Sequence, residues 1–111
     1  MIHIKELRSG LNLFKALGSE IRIEILELLN RYGSLNLNEI AEKLNLSNGA
    51  VTMHVKKLEE SGLIAITAAV GRHGIQKICY LNEDLLMVEL RSKGPENVYE
   101  VEIKVGHYCD Y

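Results

Sequence analysis

Residues 37–64 read LNEIAEKLNLSNGAVTMHVKKLEESGLI, two helix-forming segments separated by only a few residues. Asn36, immediately upstream, stands three residues before Glu39, the spacing of a capping box. Ile40, Ala41 and Leu44 supply the apolar face of the helix that follows. Asn45-Leu46 makes a short turn, and Ser47 caps a second helix that runs to Ser61 and is ended by Gly62. The inward stripe of this second helix is Ala50, Val51, His54, Val55 and Leu58. Asn48, Gly49, Thr52, Met53, Lys56 and Lys57 lie on or near its opposite face.

Upstream, Ser19 offers an N-cap to a helix in which Ile21, Ile25, Leu28, Leu29 and Tyr32 form one stripe, with Gly33 as its stop. Before it, Ile4, Leu7, Leu11 and Phe14 recur at helical spacing, but Gly10 interrupts them. This predicts an irregular arm and then a short helix over 11–17. Downstream, the period changes from helix to strand. Residues 63–70 suit a strand, Gly71-Arg72-His73-Gly74 suits a tight turn, and Ile75 to Leu81 returns as a second strand. Helix, turn, helix and then a hairpin predict an α+β, mainly α fold: a winged helix-turn-helix with a three-helix core. An extra N-terminal helix and a C-terminal β-strand segment complete it.

The chain has 111 residues, room for one domain or one small domain plus a fragment. With 47% hydrophobic and 25% charged residues, its composition is that of a globular protein. No apolar run approaches the roughly 20 residues of a membrane span, and no signal peptide is legible. The expected compartment is the cytoplasm, with no membrane partner. The net charge of −2 hides an uneven distribution. Residues 45–81 carry four basic and two acidic side chains, whereas residues 82–111 carry three basic and seven acidic.

Residues 1–81 are expected to form the winged helix-turn-helix domain, and 82–111 a linker and the start of a β-rich domain cut short. From Tyr99 the alternation of Tyr99, Val101, Ile103 and Val105 with Glu100, Glu102 and Lys104 reads as a half-buried strand. A lone strand is unstable, so it belongs to such a domain, adds to the hairpin, or pairs with a second copy.

At this point a resemblance becomes specific. Residues 13–29, 37–47 and 51–64 together resemble ArsR-family transcriptional regulators, and the match spans about residues 11–81. The resemblance implies a dimeric repressor whose recognition helix, here 47–61, enters the major groove of double-stranded DNA. The wing, 63–81, would meet the backbone or minor groove. The chemistry of the residues agrees. Asn48 can pair with adenine, Ser47 and Thr52 can contact a base or phosphate, and Gly49 permits close approach. Met53 shares that outer face, Lys56 and Lys57 are candidate phosphate contacts, and Arg72 and His73 stand at the wing tip. About four basic groups per protomer give modest electrostatic attraction. A homodimer on a pseudo-palindromic operator is therefore expected. Ile2, Ile4, Leu7, Leu11 and Phe14 form either its interface or part of the core. A small-molecule effector would be bound through the missing C-terminal domain.

Several residues have plainer readings. His54, on the inward stripe, reads as a packed, hydrogen-bonded structural residue, and Arg22 as the partner of a carboxylate inside the domain. Cys79 reads as a buried small apolar residue. Metal sensing would need ligands clustered at helical spacing. The segment 38–44 has no cysteine, and only His107, Cys109 and Asp110 group together, so no metal or other cofactor is expected. No nucleophile elbow, P-loop or dinucleotide fingerprint appears, which argues against an enzyme. The rival reading is a winged-helix dimerisation or protein-interaction module of a larger protein that binds no DNA.

Overall fold

The computed structural model describes residues 1–71 and 74–91. Strand β1 (Ile2–Ile4) leads through a 3-10 turn (Leu7–Gly10) into helix α1 (Leu11–Leu17). Helix α2 (Glu20–Tyr32) follows, then strand β2 (Ser34–Asn36), helix α3 (Leu37–Leu44) and helix α4 (Asn48–Glu60). Strands β3 (Ile64–Gly71) and β4 (Gly74–Leu81) form the hairpin, and a short strand β5 (Leu86–Val88) ends the described chain. This is a winged helix-turn-helix.

The caps lie where the residue types place them. Ser19 Oγ accepts from the Arg22 N–H at 3.3 Å, and Asn36 and Glu39 close a reciprocal capping box, both bonds 2.8 Å. Asn45 ends α3 in the left-handed region (φ 58°), where a short polar side chain is tolerated. Its N–H and that of Leu46 return to the carbonyls of Glu42 and Ala41. This bend swings the chain from α3 into α4.

Val51, Val55 and Leu58 of α4 are sealed against Ile25 and Leu29 of α2, Ile40 of α3, Ile64 of β3 and Cys79 of β4. Each such side chain contributes roughly 1.5–3 kcal/mol by leaving water. Burial pushes the Cys79 thiol up to about 11, with Glu59 adding to the shift and Lys77 opposing it. The group is therefore a neutral core filler at physiological pH. Tyr32, expected on the buried stripe of α2, is instead half exposed. Gly33 ends the helix at that point, and the ring lies under the Lys43 ammonium, 4.3 Å from its centroid.

Three strands, β1, β2 and β5, escaped the hydrophobic pattern because each is only three residues long. β2 pairs antiparallel with β4, so the wing sheet runs β2-β4-β3. β1 pairs in parallel with β5, Ile2 opposite Leu86 and Ile4 opposite Val88. The start of the chain is thus a strand, and Ile4, spaced as if on a helix, is a core residue. His3 Nε2 and a Glu89 carboxylate oxygen, 2.5 Å apart, fasten this pair, as do the N-terminal ammonium and Glu83 at 2.6 Å. The strand expected from Tyr99 lies outside the described residues.

Gly10, read as a break in a helix, is the point where β1 crosses close over α1. A Cβ there would stand 2.8 Å from Phe14 Cζ and 2.9 Å from Ile4 Cγ2. Gly10→Ala is expected to destabilise the fold by about 1–3 kcal/mol through this overpacking, measured as a lowered urea midpoint with unchanged slope.

Candidate nucleic-acid interface

Helix α4 is held by its inward face, and this determines what it offers outward. With Val51, Val55 and Leu58 buried, the stripe pointing away from the domain is Gly49, Met53, Lys56 and Glu60, all exposed. Ser47 caps the helix, its Oγ accepting from the Ala50 N–H at 3.1 Å, which leaves the hydroxyl hydrogen available to an acceptor. The helix dipole adds partial positive charge at the same end. No Cβ at Gly49 would meet any atom within 4 Å. The open side there faces outward.

Asn48 is not free-standing. Its Nδ2 donates to Asn38 Oδ1 of α3 at 2.8 Å. An amide nitrogen carries two hydrogens, so a second N–H and the Oδ1 remain available while the side chain is oriented. Asn38 was not among the candidates. It lies ten residues away on another helix, and only the angle between α3 and α4 brings the two amides together.

The adjacent lysines diverge. Lys56 and Thr52 line a groove between α4 and the wing, with Lys77 of β4 and Glu59 on the same walls. Lys77 is a second cation that sequence reasoning left off the interface, because nothing local shows that β4 borders this helix. Lys57, one residue and about 100° further round the helix, turns to the opposite flank, toward α1 and α2. The wing is tied to the helices by Asn36 Nδ2 donating to Gln76 Oε1 at 3.4 Å. Just behind its tip it carries an exposed apolar cross-strand pair, Val70 and Ile75. Arg72 and His73 lie outside the described residues.

His54 is half-buried and hydrogen-bonded, as its position on the inward stripe suggested. Its Nδ1 lies 3.1 Å from Arg22 Nη1, and since a guanidinium only donates, His54 is the acceptor. Arg22 departs from expectation: among the described residues it meets no carboxylate. Its Nε donates to the Ala16 carbonyl at 2.7 Å and its Nη2 to the Lys15 carbonyl at 3.2 Å. The end of α1 presents these carbonyls directly to the first turn of α2, and among the described residues no carboxylate oxygen comes within 4.0 Å of the guanidinium. Among the described residues no group of three or more His, Cys, Asp or Glu side chains could hold a metal ion. His107, Cys109 and Asp110 lie outside them. No helix there is long and apolar enough to cross a membrane.

The family model for winged helix-turn-helix DNA-binding domains matches residues 19–65, from the N-cap of α2 into β3. The uncharacterized protein MJ0432 of Methanocaldococcus jannaschii is 36% identical over 64 residues, 58% of this chain and 70% of that protein. The uncharacterized HTH-type transcriptional regulator MJ0229 of the same organism is 40% identical over 50 residues, 45% of this chain and 52% of that one. The ArsR family transcriptional regulator RHA00566 has the same fold, with a TM-score of 0.58 over 70% of this chain and 75% of its own, at 24% identity. The chain belongs to the winged helix-turn-helix family of DNA-binding domains.

The Arg22–His54 contact makes stability depend on pH. Burial lowers the His54 pKa below its ordinary 6.5, and the charges of Arg22 and Lys57 lower it further. Below 6.5 the unfolded chain takes up a proton that the folded chain resists, so stability present above that pH is lost as pH falls. His54→Gln keeps a neutral acceptor. Its melting temperature is expected to fall less than that of the unaltered chain between about pH 7.5 and about pH 5, measured by circular dichroism.

Proposed function

We propose that this chain is the operator-reading unit of a transcriptional repressor that works in the cytoplasm as a homodimer on a pseudo-palindromic duplex. The observation that carries the reading is the outward stripe of α4. One helix face is fully sealed while Gly49, Met53 and Lys56 stand clear of the domain, with Asn48 and Thr52 beside them. In this reading α4 enters the major groove, Asn48 and Thr52 read bases, and Ser47 and Lys56 meet phosphates. The wing, with Lys77 at its base and Arg72 and His73 at its tip, follows the backbone or the minor groove. Lys57 joins a phosphate on the other flank. The likeness to a relative described as an HTH-type transcriptional regulator supports regulation, and the ArsR resemblance supports repression.

Two observations support the homodimer. Glu59 and Glu60 offset the lysines beside them, so one protomer attracts DNA weakly. Leu7, Leu11 and Met87 are each nearly half exposed on the elements that close the β1–β5 end, an apolar surface suited to a second copy. Of the residues considered for this interface, Ile4 is excluded by its burial, whereas Leu7 and Leu11 remain available. The effector expected from the sequence is assigned to the chain beyond residue 91, outside the described residues.

Selection of binding sites from a randomised duplex pool, followed by salt-titrated gel shifts, tests the reading. Asn48→Ala is expected to relax preference at one base position by about 1–3 kcal/mol. Lys56→Ala should weaken all sites alike and reduce the salt slope by about 1. Gly49→Ala should raise stability by roughly 1 kcal/mol yet weaken DNA binding, because its methyl would stand between helix and duplex. A stable dimer with no salt-sensitive DNA affinity would instead establish the interaction-module alternative.

A further inference from the structure

On the flank of α4 away from the wing, the C-terminal half of the helix and the α1–α2 junction enclose a cavity of about 180 Å³. Its charged lining is Lys15 of α1, Arg22 of α2, and Lys57 and Glu60 of α4, with Asn12 and Ser61 as neutral hydrogen-bonding groups. Three cations therefore face one carboxylate. Among the described residues the ion pairs are Met1–Glu83 and His3–Glu89, so none of these three cations has a carboxylate oxygen within 4.0 Å.

Arg22 is the least ordinary of them. It is partly buried, and its three hydrogen bonds go to neutral acceptors: two backbone carbonyls and the His54 ring. A guanidinium has five N–H groups, so two remain, and among the described residues no carboxylate oxygen lies within 4.0 Å of the ion. Withdrawing a charge from water is costly unless a counter-ion and hydrogen bonds replace the lost hydration. The fork of Arg22 matches the oxygens of a tetrahedral anion, and the ammonium groups of Lys15 and Lys57 add point charges on either side. Since a water molecule takes up about 30 Å³ in the liquid, the cavity has room for such an anion and a few waters.

We infer that this crevice binds an oxyanion of the phosphate class, gripped by Arg22, Lys15 and Lys57. The consequence concerns α4. Arg22 already joins the end of α1 to His54, and an anion shared with Lys57 would fasten the recognition helix to α1 and α2 at a second point. The anion is either a free metabolite or inorganic ion, or a backbone phosphate of the duplex. Lys57 lies about 15 Å along the helix from Ser47, on the flank rather than the front.

The experiment is a titration of the full chain with sodium phosphate at constant ionic strength, followed through backbone amide NMR shifts. Saturable shifts confined to residues 12–22 and 54–61, with affinity reduced about tenfold in Lys15→Gln, support the site. Lys15 is exposed and gives Arg22 only its backbone carbonyl, so this variant should keep its fold, with an unchanged melting temperature as control. Salt-titrated DNA binding of the same variant separates the two sources. A salt slope smaller by about 1 assigns the anion to the duplex backbone. An unchanged slope, with inorganic phosphate altering DNA affinity in the parent chain but not in Lys15→Gln, assigns it to a free ligand. Absence of both the saturable titration and the slope change overturns the inference. The first arm contains no duplex, so it decides the matter even if the chain binds no DNA.

Discussion

Everything the surface of this protein can do depends on how α4 is seated. Val51, Val55 and Leu58 are essentially inaccessible to water, pressed onto Ile25 and Leu29 from α2, Ile40 from α3, and Ile64 and Cys79 from the sheet. Since residues on a helix lie about 100° apart, sealing those three sets the rotation of all the others. Met53 must then point away from the domain, Lys56 toward the wing and Lys57 toward α1. A rotation of even one residue position would bury a polar side chain without a partner, a cost of a few kcal/mol. The outward face of α4 is therefore a by-product of the core.

The remaining elements keep that seat rigid at its edges. Asn36 works in two ways, capping α3 and bonding Gln76 of β4, so the start of the helix-turn-helix and the wing move as one piece. Asn38 does the same between α3 and Asn48. At the far end the β1–β5 pair joins the two ends of the described chain, with His3 and Glu89 across the ladder. This short sheet also leaves Met87 and Val88 exposed, and with Leu7 they make the surface of the β1–β5 end apolar.

Charge is arranged by flank rather than by total. The net −2 of the chain says little about a duplex, whereas the position of each cation relative to α4 says a good deal. Lys56 and Lys77 share the groove beside the wing; Lys15, Arg22 and Lys57 share the crevice on the other side. Glu59 and Glu60 divide these two groups and limit the attraction of each. Among the described residues Arg22 forms no ion pair; the α1 carbonyls and His54 satisfy its hydrogen bonds but not its electrostatics.

The amino-acid order alone determined the helix-turn-helix, the wing strands and the polar front of α4. Those features are written in local signals: the Asn36–Glu39 capping box, the Ser19 and Ser47 caps, the glycines after α2 and α4, and the change of period at Leu63. Such signals act over a few residues and can be read one segment at a time. The three-dimensional arrangement alone decided that β2 joins the wing sheet and that β1 meets β5, since three-residue strands have too little pattern to announce a partner. It also decided that Asn38 orients Asn48, that Arg22 takes carbonyls and His54 in place of a carboxylate, and that two neighbouring lysines serve opposite flanks. Each of these depends on the angle between helices. That angle is set by how the apolar faces fit together, and no single segment of the chain contains it.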